Sequence, residues 1–560
     1  MHKQISKRFP FLQEKSPHYD HSLRVERSRN GEPTLFHNAT ALHSRYDPIR
    51  EAERDIMHIP PDTDTILIAG FGLGYVTEAV IKAYPSMHII IIEPNPSYFT
   101  LAEEYRNLDI ITNHLRLTIC YTQQTDVLIQ QLFAWQSENP YWIELRPRTQ
   151  LDPSFFDSFR TIFRQYQQRI QTNRLTLAQY SWLWWRNGIK NKEEWITMKP
   201  VSQLFHSCKD MPILVIAAGP SLSHHINDIQ YLKERMLIIC VETALRILLQ
   251  HSIHPDIVVS IDSQYWNARH VDNLNLENII YVLEGSVHPM LIRNIPQSMR
   301  YLMDPLTPIF QPLQAILPPL GSLRSGGSVS ITAWDLALQM QPSSIWCLGF
   351  DFAYPHAATH AKGALFEEWL VASATRLNPV TMQQHHLIHQ KGISIPNNYG
   401  TMIRSDTRMQ LYQQWIEEAL IREKVPSYNL SSLGAAIKGM PYKSIAEALE
   451  LSIIRSNIDN IVQHMKQMPM PKTHFPSLIS QFHMIKAEME QSIVTIKNML
   501  SHSDVHVFQQ SIASSFTQFS ILPYIRQWIN PLKYSLDDVT FLEEKERLLI
   551  KLQALSTFLP

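Results

Sequence analysis

From Met211 onward, short and continuously apolar runs alternate with helical stretches, and that alternation limits the chain to very few folds. PILVIAAG, MLIICV, DIVVSID, NIIYVLEG and SSIWCLGFDF read as strands, while SLSHHINDIQYLKER, ETALRILLQH and SGGSVSITAWDLALQM supply helices between them. Helical crossovers bring each strand back in the same direction, so the pattern predicts a doubly wound, mostly parallel α/β sheet. This central domain is expected over residues 200–441, closing with the helix TRMQLYQQWIEEALIRE and the segment SYNLSSLGAAIKG.

A smaller unit of the same kind precedes it. TILIAG, the glycine turn GFGLG, the helical YVTEAVIKAY and the strand HIIIIEP form a β-turn-α-β sequence. Asp47-Pro48 opens a helix before it, with proline at the first helical position. LRLTICY and a helix around DVLIQQLFAW continue the alternation, and a long helix from Asp152 to Trp185 closes a Rossmann-like N-terminal domain over 1–190. Beyond Tyr442 strand signals cease. AEALELSIIRSNIDNIVQHM, LISQFHMIKAEMEQSIVTIKNML and FLEEKERLLIKLQAL predict a helical C-terminal domain over 442–560.

Composition narrows the function classes. Hydrophobic residues make up 44% and charged residues 18%, as in a globular protein, and the 560 residues are enough for several domains. The net charge of -1 carries no basic excess for nucleic acid or for an anionic membrane surface. No apolar run is long enough to cross a bilayer, and MHKQISKRFPFLQEK lacks the apolar stretch of a signal peptide, so a cytoplasmic location is expected. The four cysteines form no Cys-x-x-Cys pair, which argues against a zinc ribbon or dithiol site.

The chemistry concentrates in the central domain. Gly219-Pro220-Ser221 follows a buried strand and precedes a helix, where backbone N–H groups and the helix dipole favour a phosphate. Ser221 is also placed to cap that helix; a tight turn with nothing bound is the alternative. Glu242, Asp262 and Asp351 each end a predicted strand, where acids hold ribose hydroxyls or a divalent cation, or cap helices. Ser325, Gly326 and Gly327 form a second glycine turn before a helix. FAYPHAATHAKG then places Tyr354, His356 and His360 in one loop after a strand, where a histidine suits a general base.

Other features carry less. His385, His386 and His389 have a spacing a metal could use but lack matching acids, so no metal site is expected. SWLWW at Ser181 to Trp185 reads as packing. In the first domain Gly70, Gly72 and Gly74, with Glu93 at the end of the next strand, look like a methyltransferase or dinucleotide fingerprint; a purely structural glycine turn is the alternative and stands somewhat ahead.

PILVIAAGPSL, IHPDIVVSID, SGGSVSITAWDLAL, LGFDFAYPHAATHAKG and YNLSSLGAAIKG, in that order, resemble the family of bacterial motility accessory factors. These are flagellin glycosyltransferases with the domain also found in archaeal hydroxymethylpterin diphosphokinases. LHSRYDPIREAER, IAGFGLGYVTEAV and IIEPNPSYF extend the resemblance through the first domain. It implies a sialyltransferase-like core, an inverting transfer, a CMP-activated nonulosonic acid as donor and a flagellin Ser or Thr as acceptor, with no cofactor required. Gly219, Pro220 and Ser221 would then cradle the nucleotide phosphate, with Glu242, Asp262 and Asp351 as further nucleotide contacts. Ser325, Gly326 and Gly327 would approach the donor, His360 would be the base and Tyr354 would face the leaving phosphate. Ala218 stands where sialyltransferases tend to have Asn, and acids replace Asn at strand ends. Two other readings stay open: an ATP- and Mg²⁺-dependent diphosphokinase, and a non-catalytic flagellin-binding factor.

Overall fold

The structure, a computed structural model, describes residues 8–9, 22–60, 63–121, 137, 139–306, 310, 319–389 and 392–470, with isolated positions between 480 and 498. Contacts divide the chain into two compact units, Met1–Leu175 and Thr176–Pro560. It is a mixed α/β fold with two parallel sheets.

In the first unit β1 (Leu23–Arg27), β2 (Pro33–His37) and β3 (Thr40–Ala41) form an antiparallel meander. Asp47 then opens the Pro48–Ile56 helix by accepting from the Ile49 and Arg50 N–H groups, as its pairing with Pro48 predicts. β4 (Thr65–Ala69), β5 (His88–Ile92), β6 (Leu117–Cys120) and β7 (Pro140–Glu144) make a parallel sheet in the order β6-β5-β4-β7. Side chains alternate between its faces. Ile66, Ile68, Ile89 and Ile91 enter one core, while Leu67, Ala69, Ile90 and Ile92 pack with Phe156 and Phe159 in another. Burial on both faces explains why these strands read as unbroken apolar runs. The helix predicted around DVLIQQLFAW lies outside the described residues.

A helix of 43 residues, Pro153–Trp195, carries the chain into the second unit, whose sheet has eight parallel strands. These are β8 (Lys199–Pro200), β9 (Pro212–Ile216), β10 (Leu237–Val241), β11 (Ile257–Ser260), β12 (Ile280–Leu283), β13 (Arg300–Leu302), β14 (Ser344–Leu348) and β17 (Ser427–Asn429). Their order is β17-β14-β9-β10-β11-β12-β13-β8, and a hairpin of β15 (Gly392–Pro396) and β16 (Met402–Asp406) stands apart from them. The chain steps outward from β9 to β13, then returns to lay β14 on the other side of β9. That reversal makes the end of β9 a topological switch point, where open α/β sheets leave a crevice.

Two predicted elements differ in detail. SLSHHINDIQYLKER is two short helices, Leu222–His225 and Ile229–Lys233, rather than one. AEALELSIIRSNIDNIVQHM is likewise two helices, Ile445–Leu449 and Arg455–Gln467; the second packs Ile458, Val462 and Met465 into the core of the second unit, and its Arg455 pairs with the buried Asp256 at 2.6 Å. FLEEKERLLIKLQAL and most of LISQFHMIKAEMEQSIVTIKNML lie outside the described residues. Among the described residues no helix is long and apolar enough to cross a membrane.

Candidate functional site

A cavity of about 1030 Å³ opens beyond the carboxyl ends of β9, β10, β11 and β14. Of the residues singled out in the sequence, Gly219, Pro220, Asp262, Gly327, Asp351, Tyr354 and His360 line it. Ser221, Glu242, Ser325 and Gly326 do not.

The Gly-Pro-Ser turn is closed on itself. Gly219 donates to the Gly349 carbonyl at 3.2 Å, Pro220 has no N–H, and Ser221 N–H donates to Asp351 Oδ2 at 2.9 Å. Asp351 thus already occupies the place where a bound anion was expected. Glycine is required at 219 because a side chain there would overlap that carboxylate and the Gly349 carbonyl. The capping role expected of Ser221 is not found. Its backbone is helical (φ -61°, ψ -24°) rather than extended, and its hydroxyl donates to Ser431 Oγ at 2.9 Å. Burial pushes the Asp351 carboxyl up to about 6, and the Ser221 N–H offsets part of that shift.

Open donors stand across the cavity. Gly327, Ser328, Val329 and Ser330 bring the start of the Val329–Gln339 helix to its wall. Ser328 N–H turns back to Ser325, but among the described residues no acceptor takes the N–H groups of Val329 or Ser330. A helix start with free N–H groups favours an anion. Arg408, in the first turn of the Thr407–Leu420 helix, lines the same cavity. Its guanidinium lies 3.9 Å from Asp406 Oδ2. Asp406 holds that helix start by accepting Met409 N–H at 2.7 Å, and it also receives the Tyr354 hydroxyl at 2.6 Å. Burial, and then the bond to Asp406, push the Tyr354 phenol up to about 12, so it is neutral.

His360 completes the site. Burial and then Arg408 hold its imidazole down to about 4, which leaves it neutral and able to accept a proton. Its Nδ1 lies 3.3 Å from Thr359 Oγ1, and its ring packs on Phe366 at 4.9 Å. Asp262 accepts Gln264 N–H at 2.9 Å, and burial raises its carboxyl. Glu242 is different. It is buried in the first turn of the Glu242–Gln250 helix and accepts the Ser260 hydroxyl, and burial holds its carboxyl well above the usual range. Among the described residues no three His, Cys, Asp or Glu side chains gather as a metal site, so Glu242, Asp262 and Asp351 do not fit one together.

The first unit's glycine turn is filled by protein. Glu93 is fully buried and accepts from Phe71 and Asn95 N–H, while Arg148 reaches it through Nε and through Nη2 at 2.7 Å. His43 Nε2 accepts Leu73 N–H at 2.8 Å, and its ring lies where a side chain on Gly72 would stand. The acid that a ribose would need is already committed.

A sequence model of the family described as 6-hydroxymethylpterin diphosphokinase MptE-like matches residues 186–357, which include the Gly-Pro-Ser turn, Asp262, Asp351 and Tyr354. A protein of Treponema pallidum (strain Nichols), described as uncharacterized, is 32% identical over 215 residues, covering 37% of this chain and 73% of that protein. A second from the same organism is 24% identical over 451 residues, covering 76% of this chain and 75% of that one. In fold the chain is similar to the MAf glycosyltransferase from Magnetospirillum magneticum AMB-1, with a TM-score of 0.60 and 14% identity over 99% of this chain and 93% of that one. The chain belongs to one family with the first of these Treponema pallidum proteins, and its likeness to the MAf glycosyltransferase is one of fold.

The sequence alone did not point to Arg408, Asp406 or the aromatic residues Trp266, Phe366 and Trp369 on the cavity wall. Arg408 had one usable signal. Asp406-Thr407-Arg408 is a capped helix start carrying a cation, where a last-turn cation is the usual arrangement.

Proposed function

We propose that the Thr176–Pro560 unit transfers a sialic-acid-like nonulosonic acid from a CMP-activated donor to a flagellin Ser or Thr. One observation carries the reading: a single cavity at the sheet's switch point joins an open helix start, Arg408 and a neutral imidazole. Fold similarity to a MAf glycosyltransferase supports it.

The donor phosphate sits against Val329 and Ser330 N–H and the Arg408 guanidinium, because the donors of the Gly-Pro-Ser turn are spent on Gly349 and Asp351. His360 takes the proton of the acceptor hydroxyl as its oxygen bonds the anomeric carbon. The bond from that carbon to the phosphate oxygen breaks through an oxocarbenium-like state, and CMP leaves with the electron pair. The stereochemistry inverts. An anion on Arg408 removes part of the charge that holds the imidazole down, so donor binding raises its basicity toward the working pH. Tyr354 donates to Asp406 and thereby helps fix the Arg408 helix start; to reach the leaving phosphate its hydroxyl must exchange that partner.

The match to a diphosphokinase family model, with Asp262 and Asp351 on the same cavity, favours ATP and Mg²⁺ as the second reading. Thermal unfolding with CMP, CTP or ATP, each with Mg²⁺ or EDTA, separates the two. A ligand at a hundred times its dissociation constant adds about 2.7 kcal/mol. Stabilisation by CMP that survives EDTA is expected, followed by sugar transfer to flagellin. Stabilisation by ATP alone, lost in EDTA, replaces the proposal with the kinase, and no response to any nucleotide leaves a flagellin-binding factor.

A further inference from the structure

The Thr407–Leu420 helix lays one face on the second glycine turn. Arg408, Tyr412 and Trp415 are spaced by four and then three residues, so they share that face. A Cβ at Gly326 would stand 2.6 Å from the Trp415 ring, and one at Gly327 would stand 2.7 Å from the Tyr412 ring. Glycine at both positions therefore lets the helix come this close, and it seats the phenol just ahead of the open helix start at Val329 and Ser330. Tyr412 lines the cavity, and among the described residues its hydroxyl has no hydrogen-bond partner. The neighbouring hydroxyls are committed. Tyr354 donates to Asp406 at 2.6 Å, and the Ser328 and Ser330 oxygens hold each other at 2.9 Å. Burial raises the Tyr412 phenol, Arg408 offsets part of that rise, and Asp406 and Asp262 add to it, so the hydroxyl keeps its proton and can donate.

We propose that Tyr412 recognises the carboxylate of the donor sugar and so selects an acidic sugar over a neutral one. The proposal rests on the transfer reading of this cavity. The covalent structure of the donor supplies the acceptor. A nonulosonic acid is a 2-keto sugar acid, so its anomeric carbon bears both a carboxylate and the oxygen bonded to phosphorus. Wherever the phosphate is held, a second anion is fixed on the adjoining carbon. Val329 N–H, Ser330 N–H and the Arg408 guanidinium serve the phosphate. Tyr412, one helical turn beyond Arg408 on the same face, brings a free donor to the adjoining place. A phenol O–H gives a carboxylate a directional, charge-assisted hydrogen bond. A neutral sugar would strip water from that hydroxyl and return no partner, so the contact that holds the acid also disfavours its absence.

The test is calorimetric titration of the full chain with three probes. These are CMP, CMP-3-fluoro-N-acetylneuraminate (whose fluorine slows loss of the sugar), and the methyl ester of that donor. Tyr412→Phe keeps the ring on Gly327 and removes only the hydroxyl. It is expected to bind CMP as wild type does, to bind the acidic donor about tenfold more weakly, and to bind acid and ester alike. Wild type should bind the ester about tenfold more weakly than the acid. Unchanged affinity of Tyr412→Phe for the acidic donor overturns the proposal. So does an equal loss for CMP and donor, which would place the hydroxyl on the phosphate. The ratio of acid to ester in wild type needs no folded variant, and a ratio of one overturns the proposal by itself. Wild type that binds neither CMP nor the acidic donor removes the transfer reading and this role with it. Wild type that binds both, with a variant that discriminates acid from ester as well as wild type does, removes the role of Tyr412 alone.

Discussion

Two parallel sheets in this chain end in glycine turns, and the two turns do opposite things. Around Gly70–Gly74 protein groups fill the crevice: Arg148 and two backbone N–H groups take Glu93, and His43 takes Leu73. Around Gly219–Ser221 one carboxylate, Asp351, takes the turn, but the neighbouring helix start and Arg408 face about 1030 Å³ of open cavity. The same β-turn-α geometry is thus a sealed joint in one unit and a candidate site in the other. What separates them is whether a side chain already fills the crevice, a long-range property with no local signature.

Breaking the open site gives the largest expected effect. His360→Ala should lower sugar transfer by about a thousandfold and leave CMP-induced stabilisation unchanged, whereas His43→Ala should leave the rate constant of transfer alone. Wild-type rates in His360→Ala would reject the assignment. Next comes Arg148→Ala, which strands the buried Glu93 carboxylate; a cost of about 3–5 kcal/mol is expected from urea unfolding of the first unit. A loss below 1 kcal/mol, with surface-like behaviour, would mean the pair is not a sealed joint. Arg408→Ala should do the reverse, weakening CMP about tenfold with little change in stability, because its side chain is 62% exposed and its ion pair to Asp406 is long at 3.9 Å. S-adenosylmethionine should give no thermal shift. A saturable shift that disappears in Glu93→Gln would reopen the first crevice as a cofactor site.

The smallest effect is on the pH dependence of stability. Burial holds folded His43 down to about 3, so the unfolded chain binds the extra proton, and stability is lost as pH falls from the ordinary histidine range. Asp351 has the opposite sign. With its folded carboxyl at about 6, the native state keeps a proton the unfolded state has released, and stability is lost as pH rises toward 6. His270 and His360, both near 4, oppose Asp351 within the second unit. Asp351→Asn should therefore make that unit lose stability more steeply on acidification and leave the first unit unchanged, as read by hydrogen exchange in each. An unchanged slope would show that Asp351 does not carry the raised pKa.

Much of the architecture was legible because strands buried on both faces leave no polar alternation to misread. β9, β10, β11, β12 and β14 all fall within the apolar runs of the central domain. Short edges were not legible: Lys199–Pro200 is too brief to show a period, and it pairs only because β13 lies beside it. The site was half legible. Asp262, Asp351, Tyr354 and His360 stand where strand ends and loops suggested. Glu242 misled because a residue just after a strand can turn inward as the first residue of a helix, and it does. Arg408 was hidden because its helix follows a hairpin remote in sequence from the turns it faces.

The bond from Ser221 N–H to Asp351 bears on turnover as well as on architecture. A crevice that keeps its own anion in the tightest seat grips a nucleotide with only the donors that remain. Such a site gives up some residence time, and its leaving group departs sooner once the sugar has gone. Freeing that seat by Asp351→Ala would be expected to lengthen the stay of CMP, trading faster release for tighter hold.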